Sequence, residues 1–312
     1  MKVTIVIPFY KGLNLIKNAI TKLDNQKTSF EYDILIINSS EPTYNEQLLN
    51  LSKRIKVIAI DSKSFNHGAT RNLALTNTSS EFLVYTVQDA IPLNENWLEF
   101  LIQPMIEHQL DAICGKQVVP RLEAYNPIEW FAPLDAPSLN IVQLPSPNFA
   151  TLSLVEKSNY LMWDNVNAAY RRDVLLQYPF RPILFGEDRM WINEALNKGL
   201  KLAYTGFSVV EHYHHYAGTS ALKRFIAEFY IDKKVINLDP TKPKLKLRSL
   251  LSWIKALHAV PMTFLNKYKW LHYNYNLFKS KKYAYQIWTT FNDIEDAEAY
   301  LTLNIPQSSS ND

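Results

Sequence analysis

Short apolar runs alternate with amphipathic stretches in the first third of the chain, and this alternation is typical of an open α/β sheet. Four apolar runs predict buried strands: Val3–Pro8, Asp33–Ile37, Ile55–Ile60 and Phe82–Val87. Residues 13–25 carry apolar side chains at helical spacing and predict a helix between the first two strands. Polar residues follow each strand, and open α/β sheets hold their ligands at such strand ends.

A second α/β-like block follows from about Asn165 to Tyr216. Arg189–Leu196 predicts a helix, and Lys201–Val210 predicts an extended segment. In the first block, Thr70–Leu75 predicts a helix preceded by a loop with the sequence SFNHG. Residues 120–147 contain six prolines, which indicates an ordered but irregular excursion that is suited to cover a site.

The C-terminal hundred residues differ in character from the rest of the chain. Between Lys242 and Lys282 the sequence has ten Lys or Arg residues, seven aromatic residues and no Asp or Glu. An apolar stripe at helical spacing consists of Leu247, Leu250, Leu251, Ile254 and Leu257. Two interpretations stay open: an interfacial surface that binds an anionic membrane, or a helical appendage with packed aromatic rings and solvated lysines.

Composition excludes several classes of protein. The chain has only seven glycines among 312 residues, and none has the spacing of a dinucleotide-binding loop, a phosphate-binding loop or a nucleophile elbow. A net charge of +3 is too small to indicate a nucleic-acid-binding protein by bulk charge. One cysteine, Cys114, and the absence of a long apolar run predict a cytoplasmic protein that does not cross a bilayer.

Several polar residues at predicted element ends are candidates for chemistry. Asp89 ends the fourth strand, where a carboxylate is either a metal ligand for a diphosphate or a turn former. Alternation after the last strand aims His212 and His214 to one side, as metal ligands or as ordinary hydrogen-bonded histidines. Glu187 and Asp188 open a helix, where one is a general base or both complement the helix dipole.

Six motifs occur in a fixed order along the chain: IVIPFY, SFNHGATRN, VQDA, NVNAAYRRDVL, FGEDRMW and HYHHY. In this order they resemble the inverting family-2 glycosyltransferases with the GT-A fold, and most of all the rhamnosyltransferases that use dTDP-L-rhamnose. The resemblance covers residues 1–230. It implies an α/β fold of GT-A type, Rossmann-like with a mainly parallel central sheet, and it leaves a C-terminal helical appendage.

The resemblance also implies which residues bind the nucleotide-sugar donor. It places Pro8 and Tyr10 at the nucleotide base, and Arg71, Asn72 and Gln88 near the nucleotide sugar and its phosphates. From the residues alone, an arginine at the start of a helix suits a phosphate or a base edge, although arginines on helix surfaces are commoner.

The same resemblance implies the metal site and the catalytic base. Asp89 corresponds to the metal-binding aspartate of a degenerate DxD motif, and His212 or His214 completes the shell of Mn²⁺ or Mg²⁺. Asp188 corresponds to the base that deprotonates the acceptor hydroxyl, with Glu187 beside it. The implied reaction is a single displacement at the anomeric carbon with inversion, in which the metal neutralises the departing diphosphate.

The resulting hypothesis is a metal-dependent, inverting glycosyltransferase that moves L-rhamnose from dTDP-L-rhamnose to a saccharide or lipid-linked acceptor in bacterial surface polysaccharide synthesis. One alternative is the same fold with a UDP-hexose or UDP-N-acetylhexosamine donor, because Asn38–Pro42 replaces an aspartate-containing run that meets the base in the family. Another alternative is a noncatalytic protein that binds membranes or polyanions.

The sequence predicts three segments in this chain. Residues 1–230 form the catalytic domain, residues 231–306 form a basic, aromatic-rich helical region, and residues 307–312 form a disordered tail. The expected partners are the donor, the acceptor and an anionic membrane surface at the inner face of the plasma membrane, without nucleic acid.

Overall fold

A computed structural model describes residues 1–129, 138–144 and 148–304. These residues contain one sheet with nine strands: β1 Lys2–Phe9, β2 Glu31–Asn38, β3 Ile55–Ala59, β4 Phe82–Thr86, β5 Ile91–Pro92, β6 Ala112–Val118, β7 Leu139–Val142, β8 Asn167–Arg171 and β9 Leu202–Glu211.

The same residues contain twelve α-helices: α1 Leu13–Asp24, α2 Tyr44–Leu49, α3 His67–Asn77, α4 Glu99–Glu107, α5 Asn148–Thr151, α6 Leu154–Tyr160, α7 Arg172–Gln177, α8 Glu187–Asn197, α9 Gly218–Ile236, α10 Leu247–His258, α11 Phe264–Trp288 and α12 Ile294–Asn304. Two short 3₁₀ turns lie at Ser62–Ser64 and Pro127–Glu129.

The chain divides into two compact units. The described part of the first unit is residues 1–117, 138–144 and 148–211, and that of the second is residues 118–129 and 212–304. The domain boundary that the sequence predicts at residue 230 falls inside α9, which is one continuous helix. The predicted tail 307–312 and part of the proline-rich excursion lie outside the described residues.

The sheet of the first unit has the strand order β3-β2-β1-β4-β8-β6-β9-β5, and β7 also pairs with β9. Strands β1 to β4 are parallel, and Ile5 of β1 lies opposite both Ile34 of β2 and Val84 of β4. Strand β8 then joins β4 in the antiparallel direction, with Ala169 opposite Val84. The predicted α/β sheet is confirmed, and it is a mixed sheet whose parallel part is built from the first third of the chain.

The core of the first unit explains why its strands appear as nearly continuous apolar runs. Ile5, Ile34 and Val84 are completely buried. Parallel strands are usually covered on both faces, so both sets of alternating side chains must be apolar. Helix α1 packs on this sheet through Ile16, Ala19, Ile20 and Leu23, which are the positions that the helical periodicity predicts.

The second unit is helical, which confirms the predicted C-terminal appendage. Helix α9 packs against α11 and α12, and α10 packs against α11 and the turn Pro127–Glu129. At the centre, the side-chain amides of Asn126 and Asn274 exchange hydrogen bonds of 3.0 and 2.9 Å. The part of the chain that the structure describes has no helix with the length and hydropathy of a membrane span.

Candidate active site

Helix α3 starts earlier than the sequence predicts. The side chain of Asn66 accepts a hydrogen bond of 3.1 Å from the backbone N–H of Gly68, and this N-cap lets the helix begin at His67 instead of Thr70. A side chain at Gly68 would place its Cβ atom 2.1 Å from the carbonyl oxygen of Arg181. The glycine therefore allows the first turn of α3 to pack closely on the segment that leads into α8.

A buried ion pair joins the N-terminal parts of α3 and α8. The Arg71 guanidinium lies 3.0 Å from the Glu187 carboxylate, and both side chains are almost fully buried. Arg71 also donates to the carbonyl oxygen of His67, and the Asn165 amide donates to Glu187 at 3.1 Å. Burial alone would raise the pKa of Glu187, but the charge of Arg71, the neighbouring His67 and the Asn165 hydrogen bond together lower it.

Asp188 lies next to Glu187 in sequence but has different electrostatics. Burial raises the pKa of Asp188 to about 7, and the negative charges of Glu187 and Asp164 act in the same direction. Its two carboxylate oxygens accept backbone hydrogen bonds from Arg189 at 2.7 Å and from Asn165 at 3.3 Å. The side chain keeps part of its surface exposed. Adjacent carboxyl groups with opposite pKa shifts are typical of sites that move protons.

Two residues of this cluster, Asp164 and Asn165, are not among the residues that the sequence predicts for the site. Burial raises the pKa of Asp164, whose carboxylate accepts the backbone N–H of Val166 at 2.9 Å. Asn165 contacts both members of the carboxylate pair, and the Tyr170 hydroxyl fixes its side-chain oxygen at 2.7 Å. The sequence signal for both is their position, because Asn165 is the first residue of the motif NVNAAYRRDVL and Asp164 directly precedes it.

The predicted donor residues Asn72 and Gln88 make hydrogen bonds within the first unit. Asn72 exchanges two hydrogen bonds with the backbone of Phe180, at 2.8 and 3.1 Å. Gln88 does the same with the backbone of Tyr10, at 2.9 and 3.2 Å. Asn72 therefore ties α3 to the segment before α8, and Gln88 fixes the chain directly after β1. A contact of either residue with a donor stays a prediction.

A cavity of about 560 Å³ lies at the carboxyl ends of β1, β2 and β3. Its lining consists of Tyr10, Lys11, Ser39, Ser40, Glu41, Pro42, Ala59, Ile60, Asp61 and Ser62. This volume is in the usual range for a small-molecule site. Of the predicted donor residues, only Tyr10 belongs to this lining. Pro8 lies two residues before Tyr10, within β1, where it pairs with Ile37 of β2. Asn38 shapes the rim by accepting the backbone N–H of Ser40 at 2.8 Å.

The predicted metal ligands lie on two different units. Asp89 follows β4 in the first unit, as predicted, and β5 begins two residues later at Ile91. Ile91 pairs with Glu211, the last residue of β9, and His212 is the next residue in the chain. In the second unit, the rings of His212 and His214 lie with their centroids 4.5 Å apart. The structure therefore brings the two imidazoles together.

Comparison with known proteins gives related sequences. The profile of Glycosyl transferase family 2 matches residues 4–178. The O-antigen chain rhamnosyltransferase RfbN of Salmonella typhimurium is 29% identical over 237 residues, which is 72% of this chain and 70% of that protein. The O-antigen chain rhamnosyltransferase WbaN of Salmonella anatum is 28% identical over 234 residues, 71% of this chain and 69% of that protein.

Solved structures share the fold at low sequence identity. TarS of S. aureus, residues 1–349, has a TM-score of 0.53 and 15% identity, covering 93% of this chain and 92% of that one. The mannosyltransferase PcManGT of Pyrobaculum calidifontis, in complex with GDP-Man and Mn²⁺, has a TM-score of 0.55 and 14% identity, covering 96% of this chain and 86% of that one. These neighbours confirm the predicted GT-A type of α/β fold.

Proposed function

Because the chain belongs to glycosyl transferase family 2, we propose that this glycosyltransferase moves L-rhamnose from dTDP-L-rhamnose to a hydroxyl of a saccharide or lipid-linked acceptor. The two Salmonella relatives, which are named as O-antigen chain rhamnosyltransferases, support the sugar and the role in surface polysaccharide synthesis. The observation that carries the proposal is the pair of adjacent carboxylates in the first turn of α8, in which Glu187 is buried against Arg71 and Asn165 while burial raises the pKa of Asp188 to about 7. The reaction takes place in the cytoplasm, at the inner face of the membrane.

Asp188 is the general base in this proposal. The acceptor oxygen forms a bond to the anomeric carbon while the bond from that carbon to the diphosphate breaks, and the hydroxyl proton moves to the Asp188 carboxylate. A single displacement of this kind inverts the anomeric configuration. A base with a pKa of about 7 is ionised in a large part of the molecules at neutral pH and still binds the proton well. The N–H groups of Arg189 and Asn165 hold the carboxylate in place.

Glu187 acts through Asp188 and is a positioning residue. Its side chain is almost fully buried, and its Oε1 accepts from both Arg71 and Asn165, so it presents little surface to an acceptor. Its negative charge is nevertheless the second cause of the raised pKa of Asp188. Arg71 therefore keeps Glu187 ionised, and the ionised Glu187 keeps Asp188 near the pKa that a base needs at neutral pH.

The donor test uses binding alone. TarS has been solved with UDP-GlcNAc and PcManGT with GDP-Man, so the shared fold accepts different nucleotide sugars. We expect dTDP-L-rhamnose with Mn²⁺ to raise the melting temperature more than UDP-glucose, UDP-GlcNAc or GDP-mannose, because a ligand stabilises the folded state by mass action. A larger shift with a UDP sugar would support the alternative donor, and no shift with any nucleotide sugar would refute the proposed function.

A divalent metal fits the proposed ligands Asp89, His212 and His214. One carboxylate and two imidazoles suit Mn²⁺ better than Mg²⁺, which strongly prefers oxygen ligands. When bound, the metal supplies positive charge that stabilises the departing diphosphate. The strand register supports the assignment, because His212 directly follows the residue that pairs with Ile91.

Asp89→Asn tests the metal assignment without an activity measurement. Loss of an outer-shell partner already costs about 10–100-fold in metal affinity, so loss of the carboxylate should weaken Mn²⁺ binding by at least about 100-fold. Mn²⁺ titration followed by electron paramagnetic resonance measures this affinity directly. The control is Glu81→Gln, which removes an exposed carboxylate that precedes β4. Equal Mn²⁺ affinity in the wild type and the Asp89 variant would exclude Asp89 as a ligand.

A further inference from the structure

The rest of the second unit covers only part of the apolar stripe of helix α10. Leu257, on the inner side, is only 4% exposed, and Trp253 is partly buried beside it. Leu247 is 72% exposed, Leu251 is more than half exposed and Ile254 nearly half. These three side chains follow the spacing of one helical face, one turn after another. About half of the apolar stripe therefore faces away from the unit.

The first turn of α11 adds a second group of exposed apolar side chains. Phe264 is 85% exposed, and Leu265 and Tyr268 are both more than half exposed. The two helices are joined by only five residues, 259–263, and they pack against each other. We name the six exposed side chains the α10–α11 surface: Leu247, Leu251, Ile254, Phe264, Leu265 and Tyr268.

Exposed cations border this surface. Lys242, Lys244 and Lys246 lie in the segment that leads into α10, and all three are exposed. Arg248 and Lys255 are exposed on α10 itself, and at 100° per residue they lie next to Leu251 on the helix circumference. Residues 242–282 contain no Asp or Glu. An exposed apolar stripe bordered by Lys and Arg is the arrangement of helices that lie in the interface of an anionic bilayer.

We propose that the α10–α11 surface docks on an anionic lipid bilayer, with its apolar side chains among the acyl chains and its cations at the headgroups. A second copy of the chain fits this surface poorly, because pairing two such surfaces would bring their cations together. A nucleic acid would satisfy the cations but would leave six large apolar side chains in water. The proposal rests on the second unit alone and does not depend on the donor.

Vesicle sedimentation with the full chain tests the proposal. The probes are vesicles of phosphatidylcholine alone and vesicles with half phosphatidylglycerol, at salt concentrations of about 0.01 M and about 1 M, between which the Debye length falls from about 30 Å to about 3 Å. We expect binding to the anionic vesicles at low salt only. Each cation near the surface contributes about fivefold in affinity, so charge reversal of Lys244, Lys246, Arg248 and Lys255 should abolish it.

A second variant separates apolar insertion from attraction between charges. Leu247→Ser, Leu251→Ser and Ile254→Ser together should lower vesicle affinity at least about tenfold, because buried methylene groups are lost from the contact. The matched control has Leu15→Ser, Leu49→Ser and Leu176→Ser in the first unit, where the three leucines are between 44% and 52% exposed. Unchanged melting temperature and donor binding in both triple variants would show that the fold is intact.

A fluorescent label reports whether the surface enters the bilayer. Cys114 is buried, so an environment-sensitive dye should react selectively with the new thiol of Leu251→Cys. Its emission should shift to the blue with anionic vesicles, whereas a dye at Lys17→Cys on α1 should not respond. The proposal is refuted if the chain does not bind anionic vesicles at low salt, or if it binds without a blue shift at position 251. The proposal is also refuted if the triple serine variant at Leu247, Leu251 and Ile254 binds vesicles as well as the wild type but no longer forms a dimer or no longer binds a nucleic acid.

Discussion

Replacing Asp188 by asparagine should slow the reaction and also remove a stability cost that depends on pH. The substitution keeps the size of the side chain and one oxygen acceptor for the backbone N–H groups of Arg189 and Asn165. It removes the titrating group. We expect turnover to fall by about 10²–10⁴-fold, the usual contribution of a general base, with donor affinity nearly unchanged.

The size of the stability effect follows from the pKa. The unfolded chain ionises Asp188 near its ordinary value of 3.8, whereas the folded protein holds the pKa at about 7. Between about pH 4 and about pH 7 the folded state therefore binds more protons than the unfolded state, and the wild type loses stability as pH rises. The slope is about 1.4 kcal/mol per pH unit and the full cost about 4 kcal/mol. The asparagine variant does not titrate there and should lack this loss.

Urea unfolding of the wild type and of Asp188→Asn at about pH 5 and about pH 7 measures how their free energies of unfolding differ. The free energy of unfolding of the variant minus that of the wild type should increase by about 2 kcal/mol between these two conditions, because the folded-state group is already half ionised at about pH 7. Glu187→Gln is the control at the neighbouring position, and it should destabilise the protein at both pH values because it leaves the Arg71 guanidinium buried without its partner. A difference between Asp188→Asn and wild type that changes by less than about 1 kcal/mol would refute the raised pKa. If Glu187→Gln loses turnover and Asp188→Asn does not, the two roles are exchanged.

Two further substitutions test the packing of α3 against α8. Arg71→Met should lower the free energy of unfolding by about 3–5 kcal/mol, because Glu187 would be left as a buried charge without its cation. Chemical denaturation measures this loss, and a loss below about 1 kcal/mol would contradict the buried ion pair. Gly68→Ala should lower the melting temperature and destabilise the fold by about 1–3 kcal/mol, because its Cβ would meet the Arg181 carbonyl oxygen. In the control Gly218→Ala the new Cβ meets no atom within 4 Å, so only the positive φ should destabilise that variant. Equal effects of the two substitutions would disprove the close approach at Gly68.

The elements that the sequence predicts well are those whose apolar pattern is local. The apolar run Val3–Pro8 predicts a strand, and β1 spans Lys2–Phe9. The helical spacing over residues 13–25 predicts a helix, and α1 spans Leu13–Asp24. The sequence does not predict β8, because its five residues have no distinctive pattern of their own. Its extended form depends on pairing with β4, where Ala169 lies opposite Val84, and this contact is far from local in sequence.

In the candidate site, too, the sequence predicts where residues lie on their own element but not which distant residues they contact. The sequence places Glu187 and Asp188 at the start of a helix, and the structure has them in the first turn of α8. It does not show that Arg71, predicted at the donor, is buried against Glu187, because that pairing depends on how α3 packs on the segment before α8. An arginine near the start of a helix has the same local sequence whether it contacts a phosphate or a buried carboxylate.

The geometry of one helix start explains why two neighbouring carboxylates have opposite pKa shifts. Gly186 adopts a φ of 79°, which favours glycine, and turns the chain so that Glu187 and Asp188 fall in the first turn of α8. Consecutive residues of a helix point about 100° apart, so only one of the two can face Arg71. The dipole at the helix start favours the ionised form of both carboxylates. The raised pKa of Asp188 therefore means that burial and the charge of Glu187 outweigh the dipole, and Arg71, by stabilising the charge on Glu187, indirectly supports the basicity of Asp188.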